Sequence, residues 1–242
     1  DRYLAGATKG RLEGKLGPMS SATFQALWPS VLAPKSRTWI SHHLVRGQLQ
    51  GGAFRLLTGT PDTVAHADRA SLTLEASNVA FNLLEGWPLL EAPRALVRLD
   101  GQSFEMAVPD GSMTASDGRR LSAKGSFTID MTEPWPRHGH INVRSQGPAS
   151  LAYDMLNRPP FRAERDTAIT SDKMEGRVDA QLTVNVPLDG TPMEGAVRAE
   201  GKVRVMDGRM KPAFGNYDIT SANIVVDVAN ASAEAKGEML VN

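Results

Sequence analysis

The stretch that decides the fold is Arg177-Val178-Asp179-Ala180-Gln181-Leu182-Thr183-Val184-Asn185-Val186-Pro187-Leu188, in which polar and apolar residues alternate without interruption. Alternate residues of a β-strand point to opposite faces of the sheet, so this segment predicts a strand with one apolar and one polar face. At about 3.3 Å per residue the strand is roughly 40 Å long, well beyond the usual five or six residues. An apolar face of that length needs something to cover it.

Five Asp-Gly steps separate further alternating stretches, as expected for the tight turns of antiparallel hairpins. They are Asp100-Gly101, Asp110-Gly111, Asp117-Gly118, Asp189-Gly190 and Asp207-Gly208. Between residues 71 and 145 the alternation recurs in units of about ten residues, with a change of phase that predicts a bulge near Asn78. Other strands are predicted at residues 48–57, with a bulge at Gly51-Gly52, and at residues 197–205 and 219–228. Regularly spaced strands without long helices predict a mainly β protein.

Three short helices are predicted from apolar residues at helical spacing beside capping or stopping residues. They are residues 23–28, capped by Ser20 or Ser21; residues 37–44, capped by Ser36 and stopped at Gly47; and residues 148–156, with Pro148 in the first turn. The polar stretch 162–173 is the predicted boundary between two segments, residues 1–165 and 166–242.

The charge balance, the cysteine content and the apolar runs of the chain exclude several classes of function. The 27 basic residues balance 27 acidic ones, so the positive field that attracts nucleic acid is missing and no nucleic-acid partner is predicted. There is no cysteine, which excludes disulfides, thiolate metal sites and cysteine nucleophiles. No apolar run reaches the roughly 18 residues of a membrane span, and Asp1-Arg2-Tyr3-Leu4 has no signal-peptide pattern. We therefore expect a processed or excised piece whose anchor lies in a missing flank.

Catalytic signatures are absent from the sequence. It contains no G-x-S-x-G elbow, P-loop, Rossmann fingerprint or H-E-x-x-H helix, so we predict no enzymatic activity and no cofactor. His138 and His140 would share one face of a strand, the minimum geometry for a metal pair, with Glu133 in the same segment. Solvated histidines without a metal are the preferred interpretation.

Four acidic residues keep a carbohydrate-active enzyme as a less favoured alternative, because glycosidases use paired carboxylates. They are Asp110, Asp117, Asp130 and Glu133. Most have a local explanation, since an aspartate before glycine closes turns and Asp130 falls on the polar face of an alternating strand.

The apolar faces are the main functional clue. In a β-sandwich they would pack on each other, and a structural or adhesive protein of that kind remains an alternative. Aromatic residues make up only 6% of the chain, and the strand at 177–188 is long for a sandwich, which favours an open apolar trough. The side chains predicted to line it are Phe104, Met106, Val108, Phe127, Ile129, Met131, Leu182, Val184, Val186, Val203, Val205, Ile224 and Val226.

Several segments carry a family resemblance through their order and spacing. They are Leu27-Trp28-Pro29, Arg37-Thr38-Trp39-Ile40 with Gly47, Glu85-Gly86-Trp87-Pro88-Leu89, Val97-Arg98-Leu99-Asp100-Gly101, the helix at 151–156 with its closing prolines, Gly176-Arg177-Val178-Asp179-Ala180, and Val186-Pro187-Leu188. Together they resemble the AsmA-like family of Gram-negative envelope proteins, most closely its YhdP-type branch.

The resemblance implies a repeating β-groove, also called a β-taco: a long curved antiparallel sheet forming an apolar groove, with two or three short helices. It implies a noncatalytic section of a lipid conduit that crosses the periplasm and serves outer membrane biogenesis. The expected partners are phospholipid acyl chains, with the inner and outer membranes contacted through missing flanking regions. The expected location is the periplasm, with the full-length protein anchored in the inner membrane.

Overall fold

The computed structural model describes residues 10–28, 34–58, 70–84, 86–101, 103–130, 132–133, 137–158, 170–188, 197–214, 217–230 and 232–242. Twelve strands form one open, curved, antiparallel sheet, which confirms the predicted fold class. The strands are β1 (Gly10–Leu16), β2 (Met19–Ser20), β3 (Leu44–Thr58), β4 (Ala70–Phe81), β5 (Leu90–Leu99), β6 (Ser103–Thr114), β7 (Arg120–Asp130), β8 (His138–Pro148), β9 (Met174–Pro187), β10 (Arg198–Phe214), β11 (Tyr217–Ala229) and β12 (Ser232–Val241). The helices are α1 (Ser21–Leu27), α2 (Pro34–His43) and α3 (Ala149–Leu156), and a short 3-10 helix at Ser171–Lys173 leads into β9.

The strands lie across the sheet almost in chain order. The order runs from β1 to β3 and then through β4 to β12 without a crossover, while the short β2 pairs with β3. In the described part of the chain β1 and β12 each have one neighbouring strand, so these two strands form the edges of the sheet. The described strands therefore do not form the two facing sheets of a sandwich.

The long alternating segment forms β9, at Met174–Pro187, as predicted. Strand β9 pairs with β8 on one side and β10 on the other. Val178 and Val184 on its apolar side are buried, whereas Gln181 and Thr183 on its polar side are exposed. The period-two pattern thus corresponds to two physically different faces.

Two predicted bulges are confirmed. Asn78 has a left-handed backbone with φ of 50°, and the ladder between β3 and β4 shifts register beside it. The same ladder shifts between Leu49 and Gly51, next to Gly52. A bulge adds one residue to one strand and so changes which residues point inward. This accounts for the change of phase in β4.

The prediction that every Asp-Gly step is a hairpin turn is wrong. Asp100-Gly101 and Asp117-Gly118 do lie between strands, and their glycines have φ of 80° and 86°. Asp110-Gly111 lies inside β6 and Asp207-Gly208 inside β10, both at register shifts. Asp207 has φ of 52°. The left-handed backbone of Asp207 suits a bulge as well as a turn. At Gly111 a Cβ would lie 2.8 Å from the carbonyl oxygen of Ala123, so there the glycine allows a close approach of the neighbouring strand. Asp189-Gly190 lies outside the described residues.

The helices agree with the prediction except at their ends. Ser20 caps α1, because its Oγ accepts a hydrogen bond of 3.1 Å from the backbone N–H of Thr23. Helix α2 begins at Pro34, two residues before the predicted cap Ser36, and ends at His43. Gly47 does not stop it, because the chain is already in β3 there. A Cβ on Gly47 would lie 3.2 Å from Cγ1 of Val79, so the glycine provides close packing instead.

The buried core lies at one end of the sheet, called the helix end below, where α3 covers the apolar face. Leu151 of α3 is 1% exposed and Met155 is 5% exposed. They share a cluster with Val79, Leu121 and Val178 of β4, β7 and β9. The opposite end, which carries the Asp100-Gly101 turn, is called the far end.

Candidate functional site

The cross-strand register assembles a continuous apolar row on one face of the sheet. Residues directly opposite each other in a ladder point to the same face. Following the pairs from β1 through β3 to β10 gives the inner row: Leu16, Gly52, Leu74, Val97, Met106, Phe127, Ile141, Val184 and Ala199. With strands about 4.8 Å apart, the inner row is roughly 38 Å long. No member carries a polar side chain.

The adjacent residue on each strand belongs to the opposite face, which is mostly polar. The matching outer row is Lys15, Ala53, Thr73, Arg98, Glu105, Thr128, His140, Asn185 and Arg198. Ion pairs occur along this outer face, including Arg94 to Glu75 at 2.8 Å and Lys202 to Asp227 at 3.1 Å. Neighbouring residues of each strand therefore lie on different faces, one exposed to water and the other apolar.

The structure brings twelve of the thirteen predicted lining residues onto the inner face. Phe104, Met106 and Val108 lie on β6, and Phe127 and Ile129 on β7. Three others lie on β9, two on β10 and two on β11: Leu182, Val184, Val186, Val203, Val205, Ile224 and Val226. Met131 lies outside the described residues. Contact of these side chains with lipid stays a prediction.

Most of these side chains are only partly covered. Met106, Val108 and Val184 are buried, at 5–6% exposure, and the other nine are intermediate. Phe104 and Phe127 contact each other edge to face, with ring centroids 6.1 Å apart. The inner face between the helix end and the far end is thus lined by apolar groups that retain contact with solvent.

The sequence-based set missed inner-face residues of β4, β5 and β8. Leu72, Leu74, Val97, Leu99, Ile141 and Val143 pair directly with inner-face neighbours. Their alternation was visible in the sequence. The alternation within one strand does not give its register with the neighbouring strand. The register decides whether the apolar residues of two adjacent strands lie on the same face of the sheet.

Two glycines allow neighbouring backbones to approach on the inner side. A Cβ on Gly125 of β7 would overlap the carbonyl oxygen of Asn142 in β8. A Cβ on Gly201 of β10, whose φ is 146°, would overlap the carbonyl oxygen of Gln181 in β9. Glycine inside a strand commonly marks such a close approach or a tight bend. These positions therefore fit a sheet that curves strongly.

An ionic cluster fixes α3 at the helix end. Arg119, in the turn before β7, lies 2.6 Å from Asp154 of α3 and 2.7 Å from Asp117. The hydrogen bond from Arg119 holds the pKa of Asp117 below its usual value, and Asp117 in turn raises the pKa of Arg119, with a smaller effect from Asp154. The apolar face is consequently closed at this end by a helix that is tied to the sheet.

The histidines considered as metal ligands lie on the outer face. His140 Nδ1 is 2.6 Å from Oδ1 of Asn185, and its Nε2 is 3.9 Å from a carboxylate oxygen of Glu133. Within the described ranges, no group of three histidine or acidic side chains is placed to hold a metal ion. Asn185 lies opposite His140 in the ladder between β8 and β9, and Glu133 lies in the connection between β7 and β8.

The acidic residues considered for glycosidase chemistry have local partners. Asp130 accepts hydrogen bonds from Thr132, at 2.7 Å from its N–H and 2.6 Å from its hydroxyl, and these lower the pKa of Asp130. Asp117 is held by Arg119, and Asp110 stands opposite Arg94 in the ladder between β5 and β6. The turn expected from the sequence is found at Asp117 and not at Asp110, which lies inside β6.

Comparisons with protein-family models, curated proteins and solved structures give no match to this chain. No helix among the described residues has the length and apolar character needed to cross a membrane. The fold and the inner face define an open antiparallel sheet with segregated apolar and polar surfaces.

Proposed function

We propose that this chain is a noncatalytic section of a lipid conduit and that the acyl chains of phospholipids lie on its inner face. The observation that carries the proposal is the inner row of nine residues, which crosses nine strands without a polar side chain. A path of this kind offers an acyl chain apolar contact along its whole length.

The energetics of lipid movement favour such a surface. Each methylene group costs about 0.8 kcal/mol in water, so a 16-carbon acyl chain exposes roughly 12 kcal/mol of unfavourable hydration. A continuous apolar surface removes most of that cost at every position along the path. Movement between positions then exchanges one apolar contact for an equivalent one.

The form of the inner face supports a conduit in preference to a tight binding site. Specific small-molecule sites are concave, with a few polar groups that fix the orientation of the ligand. The inner row repeats similar aliphatic and aromatic groups from Leu16 to Ala199. Such a uniform lining gives little preference for one position, which is what a ligand that must slide requires.

The family resemblance gives the proposal its setting. As a member of the AsmA-like family, the chain would act in the periplasm as part of a protein anchored in the inner membrane. It would carry phospholipid between the inner and outer membranes, with other segments supplying the contacts to each membrane. The proposed segments 1–165 and 166–242 would share one groove, because β8 and β9 pair directly along Pro148 to His138.

Two other functions have less support. A structural or adhesive β-sandwich needs a second sheet to cover the apolar face, whereas the described strands form one sheet. A carbohydrate-active enzyme needs two free carboxylates facing a cleft. Asp117 and Asp130 instead accept hydrogen bonds within their own turns.

Two consecutive valines of β11 allow a matched test. Val226 stands between Val203 and Ala235 on the inner face, whereas Val225 stands between Arg204 and Lys236 on the outer face. Both valines are partly exposed. The two positions therefore differ mainly in the face they occupy. The experiment compares lipid contact at Val226 with lipid contact at Val225, and the proposal requires a clear difference in favour of Val226.

A further inference from the structure

The inner face is covered unevenly along the strands. On β4, β5, β6 and β7 the inner side chains nearest the helix end are buried, and they are Phe81, Leu90, Met113 and Leu121. The inner side chains nearest the far end of the same strands keep partial contact with solvent, and they are Leu72, Leu99, Phe104 and Ile129. These four strands therefore form an apolar surface that becomes drier toward the helix end.

Helix α3 closes the inner face at the helix end. Leu151 and Met155 belong to the same buried cluster as the four buried side chains named above. Arg158, the second residue after the helix, donates a hydrogen bond to the carbonyl oxygen of Gly86 in the connection between β4 and β5. Because α3 follows β8 directly, the segment 149–158 spans from β8 to that connection. A ligand on the inner face therefore meets packed apolar side chains at the helix end.

The partly exposed stretch of the inner face is long enough to hold the acyl chains of one membrane leaflet. On β7, Ile129 lies six residues beyond the buried Ala123, a distance of roughly 20 Å along the strand. The hydrocarbon core of a bilayer is about 30 Å thick, so the acyl chains of one leaflet are about 15 Å long. An acyl chain laid along a strand thus fits between α3 and the far end.

The charged head group decides which way round a phospholipid lies on this surface. An ion that enters an apolar environment loses its hydration, at a large cost unless it is paired. The helix end offers the buried side chains of Leu121 and Leu151, and Arg119 beside α3 already pairs with Asp117 and Asp154. At the far end the inner side chains are in contact with solvent, so a head group there keeps its water.

We propose that phospholipid lies across the conduit, with its acyl chains parallel to the strands, their methyl ends at α3 and the head group at the far end. This inference rests on the proposed function. Movement along the conduit carries the lipid sideways from strand to strand, about 4.8 Å at each step, and the head group stays at the same end throughout. Acyl chains that lay along the inner row instead would bring their methyl ends equally close to the helix end and to the far end.

Two valines on the inner face allow a matched test. Val186 of β9 pairs with Gly139 near the far end, whereas Val205 of β10 pairs with Val178 at the helix end. Val178 and Val186 are eight residues apart on β9, so the two test positions are separated by roughly 26 Å along the strands. Val186 and Val205 are both partly exposed.

Single labels are simple to introduce, because the chain has no cysteine. Val186→Cys and Val205→Cys each take one thiol-reactive fluorophore. The control is Val225→Cys, which places the same label on the outer face between Arg204 and Lys236. Circular dichroism establishes that each labelled variant is folded.

The experiment uses phosphatidylcholine brominated either near its carbonyl groups or near its methyl ends, because bromine quenches a fluorophore only at close range. Each labelled variant is incubated with vesicles of one lipid and separated from them by flotation before the fluorescence is read. We expect the label at Val205 to lose several-fold more fluorescence with bromine at the methyl ends than with bromine near the carbonyl groups. The label at Val186 should show the opposite preference.

The outcomes separate this inference from the proposed function. Equal or reversed preferences at Val186 and Val205, with quenching at both, overturn the orientation and leave lipid binding standing. If neither inner label is quenched more than the label at Val225, lipid binding to the inner face fails, and the orientation fails with it.

Discussion

Replacement of Leu151 by alanine tests whether α3 packs on the sheet and contributes to its stability. This side chain is 1% exposed and belongs to the same cluster as Leu121, Val178 and Met155. Replacing a buried leucine by alanine typically costs about 2.7–5 kcal/mol, with the larger values where the cavity cannot collapse. The neighbours of Leu151 come from several strands and the helix itself, so we expect a loss of about 3–4 kcal/mol for Leu151→Ala.

The matched control lies in the same helix. Leu156 is 40% exposed, so Leu156→Ala should cost less than about 1 kcal/mol. Urea unfolding followed by circular dichroism measures both changes. With a slope of about 2 kcal/mol per molar urea, Leu151→Ala should lower the midpoint by about 1.5–2 M. Equal midpoints for the two variants would refute the packing of α3 against the inner face.

Two other predictions concern the curvature and the outer face. Gly125→Ala should destabilise the chain by about 1–3 kcal/mol, because the Cβ of the alanine would overlap the carbonyl oxygen of Asn142. The control is Gly17→Ala, which has open space around it and should be nearly neutral in the same urea titration. Asp179 accepts hydrogen bonds from Gln146 and Arg144, and these lower the pKa of its carboxyl group. The ionised Asp179 therefore stabilises the fold fully above the pKa of the unfolded chain, about 3.9, and this stabilisation is lost as the pH falls below it. Asp179→Asn should therefore lose less stability than the parent chain between pH 6 and about pH 2.5, and an identical acid dependence of the two midpoints would contradict this role.

The sequence predicted the elements better than their assembly. The alternation around Val184 identifies β9 and its two faces, and the change of phase at Asn78 identifies a bulge, because both are local consequences of strand geometry. The pairing of Gly52 with Leu74, or of Ile141 with Val184, depends on contacts between distant parts of the chain. Single-strand patterns do not contain that register, which is why Leu74 and Ile141 were missing from the predicted lining.

The errors also have a physical origin. Asp110-Gly111 and Asp117-Gly118 have the same local preference for left-handed backbone, yet one forms a bulge and the other a turn. The difference lies in the partner strands, since β5 and β7 continue to pair on both sides of Asp110. Similarly, Gly47 resembles a helix stop, but the close approach of the Val79 side chain favours a small residue at this position of β3.

The most direct test of the lipid conduit is photocrosslinking from the two valines of β11. A benzophenone side chain is placed at Val226 or at Val225, the chain is incubated with phospholipid vesicles and illuminated, and adducts are identified by mass spectrometry. The inner position, beside Val203 and Ala235, should yield a phospholipid adduct. The outer position, beside Arg204 and Lys236, should yield several-fold less. Equal yields from both positions, or no lipid adduct from Val226, would contradict the proposal that acyl chains lie on the inner face.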